Sequence, residues 1–105
     1  MAAAVPCQPV PEAGMQHGNF ALDHDASTVR VYRLERGCAT PIATIPIDGP
    51  FAFAFLGGEE HDGVPAISIE TWLMHGDRKH RRFVWVGDRY VQHGRAEEIP
   101  GRRRP

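Results

Sequence analysis

Three segments of the chain combine residue types that could do chemistry. The acidic loop Gly57-Gly-Glu-Glu-His-Asp-Gly63 places Glu59, Glu60, His61 and Asp62 ahead of an apolar run. A calcium loop sets carboxylates at alternate positions and follows the last with glycine, which frees the backbone to turn. Glu60, Asp62 and Gly63 keep that register, but Gly58 stands where the first carboxylate belongs. Glu60, His61 and Asp62 are therefore weak metal candidates, and a solvated hairpin loop fits them better. A small metal-dependent hydrolase using His61, Asp62 and a distant histidine is the enzymatic alternative.

The second segment is the basic run Arg78-Lys-His-Arg-Arg82, followed by Phe83 and Trp85. In an extended chain Arg78, His80 and Arg82 share one face, while Lys79, Arg81 and Phe83 share the other. Such a strand can guard a sheet edge against pairing with another chain or meet an acidic protein partner. With Phe83 or Trp85 it could also stack the bases of a single-stranded nucleic acid. No nucleic-acid fold signature accompanies it, so nucleic acid is the weaker alternative. Arg78, Lys79, His80, Arg81 and Arg82, with Trp72, Glu59 and Glu60, form the candidate set for binding a protein.

The third set is the six histidines, His17, His24, His61, His75, His80 and His93. Metal sites need several converging ligands, often at short recognisable spacings, and neither His-x₃-His nor Cys-x₂-Cys occurs. Neighbours in Asp23-His24-Asp25 point to opposite faces of a strand. His75 and His80 could meet across a hairpin, yet two ligands do not make a site. Nucleophilic catalysis has little support: neither Ser27 nor Ser68 lies in a Gly-x-Ser-x-Gly elbow, and no glycine-rich phosphate loop is present. The expectation is a non-enzymatic domain with no cofactor. Trp72 and Trp85 read as packing residues rather than a sugar platform.

Size and composition bound these choices. A chain of 105 residues has room for one core, and 42% apolar residues argue against global disorder. A formal charge of −1 gives no overall pull toward nucleic acid or anionic lipid. No apolar run approaches the ~20 residues of a membrane helix, so no membrane span is expected. The opening Met1-Ala-Ala-Ala-Val5 is too short for a signal-peptide core. That leaves a cytoplasmic protein, or a periplasmic or secreted one whose leader is absent from this chain. Cys7 and Cys38 would pair in an oxidising compartment, pinning a proline-rich arm to the body with about 3–4 kcal/mol by the loop-closure model. Two unrelated thiols are the alternative.

The elements that must position these groups are strands. Thr28–Leu34 alternates, Pro41–Ile47 sets Ile45 and Ile47 two apart, and Ala66–Leu73 sends Ile67, Ile69, Thr71 and Leu73 to one face and Ser68, Glu70 and Trp72 to the other. Phe51, Phe53 and Phe55 alternate with small residues, as in a strand buried on both sides. Phe83–Val86 and Arg89–Gln92 complete the set. Asp48-Gly49-Pro50, Gly57-Gly58 and Asp62-Gly63 carry turn chemistry, and Gly87-Asp88 suits a type II′ hairpin. Gly-Asp-Arg recurs at 76–78 and 87–89, as at successive turns of a meander. Arg95–Ile99 has room for one helical turn. The fold class is all-β, a small antiparallel β-sandwich or barrel built as a meander of short strands. Residues 1–19 read as an extended or disordered arm, 20–96 as a single β-domain and 97–105 as a tail.

Asp62-Gly-Val-Pro-Ala-Ile-Ser-Ile-Glu-Thr-Trp72, followed by Phe83-Val-Trp-Val-Gly-Asp-Arg-Tyr90, resembles bacterial extracytoplasmic β-proteins with FG-GAP-like repeats. Their pattern is an Asp-Gly-x-Pro lead into an alternating strand, then an aromatic hairpin closing on a Gly-Asp-x-Tyr-like turn. Some proteins of this shape are periplasmic inhibitors of lysozyme-type enzymes. The resemblance implies an extracytoplasmic domain that binds a protein partner, as an inhibitor or accessory protein of the cell envelope. Only Asp62 and Glu60 match the calcium-binding positions of such repeats, so metal binding does not carry over. A single repeat is also too short to build a propeller.

Overall fold

The chain folds as two antiparallel sheets packed face to face. The computed structural model describes residues 8–10 and 15–101. The first sheet has the order β1 (Met15–His17), β2 (Phe20–His24), β3 (Thr28–Glu35), β4 (Cys38–Pro46). The second runs β5 (Phe51–His61), β6 (Val64–Trp72), β7 (Arg78–Val86), β8 (Arg89–Gln92), and β9 (Glu97–Ile99) also pairs with β7, at Arg78–His80. The architecture is a sandwich; the first sheet is a meander of sequential strands, and the second is one as far as β8, after which β9 returns to the edge of β7. Among the described residues no helix is long and apolar enough to cross a membrane.

Local chemistry sets the reversals. Arg36-Gly37 and Asp62-Gly63 both take positive φ at two consecutive positions, the backbone of a type I′ turn, whose twist matches that of the flanking strands. At Gly87-Asp88 only the glycine is in positive φ, as expected of a II′ hairpin. The β2–β3 turn is held by Asp25, whose carboxylate accepts the Ser27 and Thr28 backbone N–H groups at 2.8 Å each. Those two bonds, Ser27 first, keep its pKa well below the usual carboxylate range.

The core lies between the sheets. Phe20, Leu22, Val29, Val31 and Ile45 from the first meet Leu56, Val64, Ile67, Ile69, Phe83 and Trp85 from the second. Alternation in β6 sends Ile67 and Ile69 inward as expected, but the strand stops at Trp72, and Leu73 lies beyond it. Trp85 packs edge-on against Tyr90, ring centroids 5.1 Å apart, and the Tyr90 hydroxyl donates to the Pro65 carbonyl at 2.8 Å.

Three sequence expectations are corrected. β5 is not a strand buried on both sides with its phenylalanines together. A bulge between Phe51 and Phe53 puts Phe51 with the core, stacked on His24 at 3.7 Å, and turns Phe53 and Phe55 outward, because one inserted residue reverses side-chain parity. Gly57-Gly58 is not a turn but lies inside β5, at a second register shift between Leu56 and Glu60. Arg95–Ile99 forms no helical turn, since Glu97–Ile99 is strand β9. Strands β1 and β9 therefore draw parts of the segments read as arm and tail into the two sheets.

Burial pushes the Tyr90 phenol above its usual pKa. Burial, then the nearby Asp23 carboxylate, does the same for Tyr32. A raised folded-state value means that these groups favour the fold below the ordinary phenol pKa of about 10 and cease to do so as pH rises beyond it. Ultraviolet titration is expected to show less phenolate in the native protein than in the unfolded chain at the pH where free tyrosine ionises. A normal titration in the native state would contradict this packing.

Candidate functional site

The outer face of the second sheet gathers most of the candidate binding residues. Cross-strand register sets Trp72 opposite Arg78, Glu70 opposite His80 and Ser68 opposite Arg82. On the other side of β6, Phe53 lies opposite Glu70 and Phe55 opposite Ser68. The face thus runs from an aromatic side on β5 and β6 to a cationic side on β7.

Glu70 lies at the centre of this face, its side chain only 7% exposed. Arg78 Nη1 approaches one carboxylate oxygen at 3.1 Å and His80 Nδ1 the other at 3.2 Å. The Arg78 guanidinium also lies over the Phe53 ring, 5.4 Å from its centroid, and Phe53 stacks on Phe55 at 5.8 Å. A solvent-facing strand position is buried here because long neighbours lean across it, covering it with their apolar stems.

Arg82 meets Glu59 at 3.6 Å, and its guanidinium occupies the space beside Gly58, 3.4 Å from where a Cβ would stand. Gly58 has φ +78, a conformation that costs glycine little and other residues more. Glu59 also pairs with His61 at 2.9 Å. Glu60 is exposed opposite Pro65 in the ladder, and Asp62 sits in the type I′ turn. Among the described residues no group of three or more His, Cys, Asp or Glu side chains could hold a metal ion.

Lys79 and Arg81 leave the candidate surface. They turn to the opposite face and hold the segment that crosses between the sheets: Lys79 pairs with Asp48, and Arg81 donates to the Pro46 carbonyl at 3.1 Å. The hydrogen bond from Lys79, then its charge, lowers the Asp48 pKa. The two tryptophans divide as well. Trp85 is packing, at 9% exposed, whereas Trp72, expected to pack, is 47% exposed. Phe83 and Trp85 are both buried, so neither can stack a base; among the described residues the exposed Phe, Tyr and Trp side chains are Phe53, Phe55 and Trp72. At the end of β6, where the segment crossing between the sheets passes Trp72, a shallow groove of about 510 Å³ is lined by Asp48, Pro50, Trp72, Leu73, Met74 and Lys79. Cys7 lies outside the described residues, while Cys38 opens β4.

Phe53, Phe55 and Glu70 are the parts of this face that sequence reasoning missed. Comparison with protein-family models, curated proteins and solved structures finds no match for the chain.

Proposed function

We propose that the chain is a non-enzymatic β-domain that binds a protein partner through the outer face of its second sheet, as an inhibitor or accessory protein of the bacterial cell envelope. The observation that carries this is the exposure of Phe53, Phe55 and Trp72 beside Arg78 and Arg82 on one sheet face. Aromatic residues and arginine are the side chains most enriched at interface centres, and a contiguous exposed apolar patch commonly marks such a site. Nucleic acid fits less well. Arg78 and Arg82 already face Glu70 and Glu59, so few free cations remain to displace counterions from phosphates.

The test is capture from an envelope extract by the immobilised protein. Trp72→Asp and Phe55→Asp are expected to weaken retention of a specific partner by roughly thirtyfold, the scale of a hot-spot residue, while Thr40→Ala, at an exposed position of the first sheet, changes nothing. Equal retention by wild type and both aspartate variants would exclude this face. Salt-sensitive binding of a single-stranded oligonucleotide, lost in Arg78→Ala, would favour the nucleic-acid alternative.

An oxidising compartment is part of the same proposal, through a Cys7–Cys38 disulfide. Its support is the bridge between Gln8 and Ala39, the chain neighbours of the two cysteines, with the Ala39 N–H donating to the Gln8 carbonyl at 2.9 Å. Reduction is expected to add about two mass units to the intact monomer and to lower its stability by about 3–4 kcal/mol. An unchanged mass would remove both the disulfide and this support for the compartment.

A further inference from the structure

The outer face of the second sheet is organised in cross-strand rows. One row sets Trp72 beside Arg78; the next holds Phe53, Glu70 and His80; the third holds Phe55, Ser68 and Arg82. Every row runs from an aromatic ring on the β5–β6 side to an arginine or imidazole on β7. We propose that the free protein closes this face on a second copy of itself, about a two-fold axis lying in the interface parallel to the strands. This rests on the docking face proposed above and adds its regulation: a different partner must compete with the dimer.

The row order is what favours a second copy. A two-fold axis along the strands leaves each row at its own height and reverses its direction. With the axis over β6, the aromatic ends of the second and third rows in one copy lie over the cationic ends of the same rows in the other. Phe53 meets His80 and Phe55 meets Arg82, each contact occurring twice as isologous symmetry requires, while Trp72, on β6 itself, meets its own copy. Sheets packed face to face cross at about 30°, which shifts the outer rows sideways by less than one strand spacing of about 4.8 Å. Arginine over an aromatic ring is a favourable pairing, one the chain already makes internally between Arg78 and Phe53.

Charge and area agree with this occupant. Arg78 and Arg82 are balanced by Glu70 and Glu59, so two copies meet without net repulsion, whereas a strongly acidic partner finds little free positive charge. The nine residues of β7 span about 30 Å, and four strands are about 19 Å wide. Burying that face on both copies removes roughly 1,000–1,200 Å² from water, the low end of specific interfaces. The dimer is accordingly one that dissociates on dilution.

Sedimentation equilibrium of the full chain tests this. The average mass is expected to rise with concentration from 11.7 kDa toward twice that value. Phe55→Arg, which sets cation over cation in the third row, should weaken association at least about tenfold. Adding Arg82→Phe to that variant should restore most of the loss, which mere damage to the fold would not. A monomer at all concentrations overturns the proposal. So does a dimer indifferent to Phe55→Arg, or a double variant no better than the single one. If the chain is monomeric while Trp72→Asp still abolishes capture of an envelope protein, self-association falls and the docking face stands. If Trp72→Asp and Phe55→Asp are silent in both measurements, both fall.

Discussion

Truncating Ile69 to alanine is expected to lower the unfolding free energy by about 2–5 kcal/mol, the range for removing a buried branched aliphatic side chain. Ile69 is fully buried in the middle of the central strand β6, between Ala54 on β5 and Arg81 on β7. It belongs to the cluster that joins both sheets. Its neighbours are held by two ladders and have little freedom to collapse into the space left behind, which favours the upper part of the range. A domain of this size has about 5–15 kcal/mol in total, so a large share of its stability rests on this position. Urea denaturation checks it: with a slope of about 1–3 kcal/mol per molar, the midpoint falls by 1 M or more. Val91→Ala, at an exposed position, should stay within about 0.5 kcal/mol of wild type. Equal effects at the two positions would contradict the core described here.

Replacing Glu70 by alanine is the second large effect, about 3 kcal/mol. Breaking a buried ion pair by removing one partner costs about 3–5 kcal/mol because the other charge is left desolvated. The lower end applies, since Arg78 and His80 retain 33% and 23% of their side-chain exposure and can turn partly into water. A paired replacement separates charge from volume. Glu70→Met together with Arg78→Met should recover most of the loss, because an apolar pair of similar bulk needs no desolvation. A double variant as unstable as Glu70→Ala would show that shape, not charge, decides this position.

These two neighbours also show what could be read from residue order and what could not. The alternation Ile67, Ile69, Thr71 against Ser68, Glu70, Trp72 assigned both faces of β6, and Asp62-Gly63 and Gly87-Asp88 marked two hairpins by their backbone chemistry. The division of the basic run into Arg78, His80 and Arg82 against Lys79 and Arg81 follows from the same period of two. The all-β antiparallel class was legible for that reason, whereas the choice of sandwich over barrel came from the two separate sheets.

The aromatic half of the face was not. Ala52 inserts one unpaired residue between Phe51 and Phe53, and a bulge has no signature distinct from the strand around it. Gly57-Gly58 did mark unusual backbone, with φ values of +150 and +78, but served a bulge rather than a reversal. β9 was invisible because Glu97–Ile99 has no pattern of its own and exists only through its partner, Arg78–His80. Glu70 was placed on the correct face, but its burial depends on Phe53, Arg78 and His80 closing over it, a property of three strands at once.

Each sheet is contiguous in sequence: the first uses residues 15–46, the second 51–99, and a four-residue segment, 47–50, carries the chain between them. Every ladder except β7–β9 therefore closes between consecutive strands, so either sheet can assemble with little loop-closure entropy. A cut between Gly49 and Pro50 severs no ladder, and what the two fragments lose is their shared tether, a local concentration in the millimolar range for a short linker. Mixed in solution, they carry one fold between them, whose recovery depends on concentration and whose two halves need not be encoded in this order.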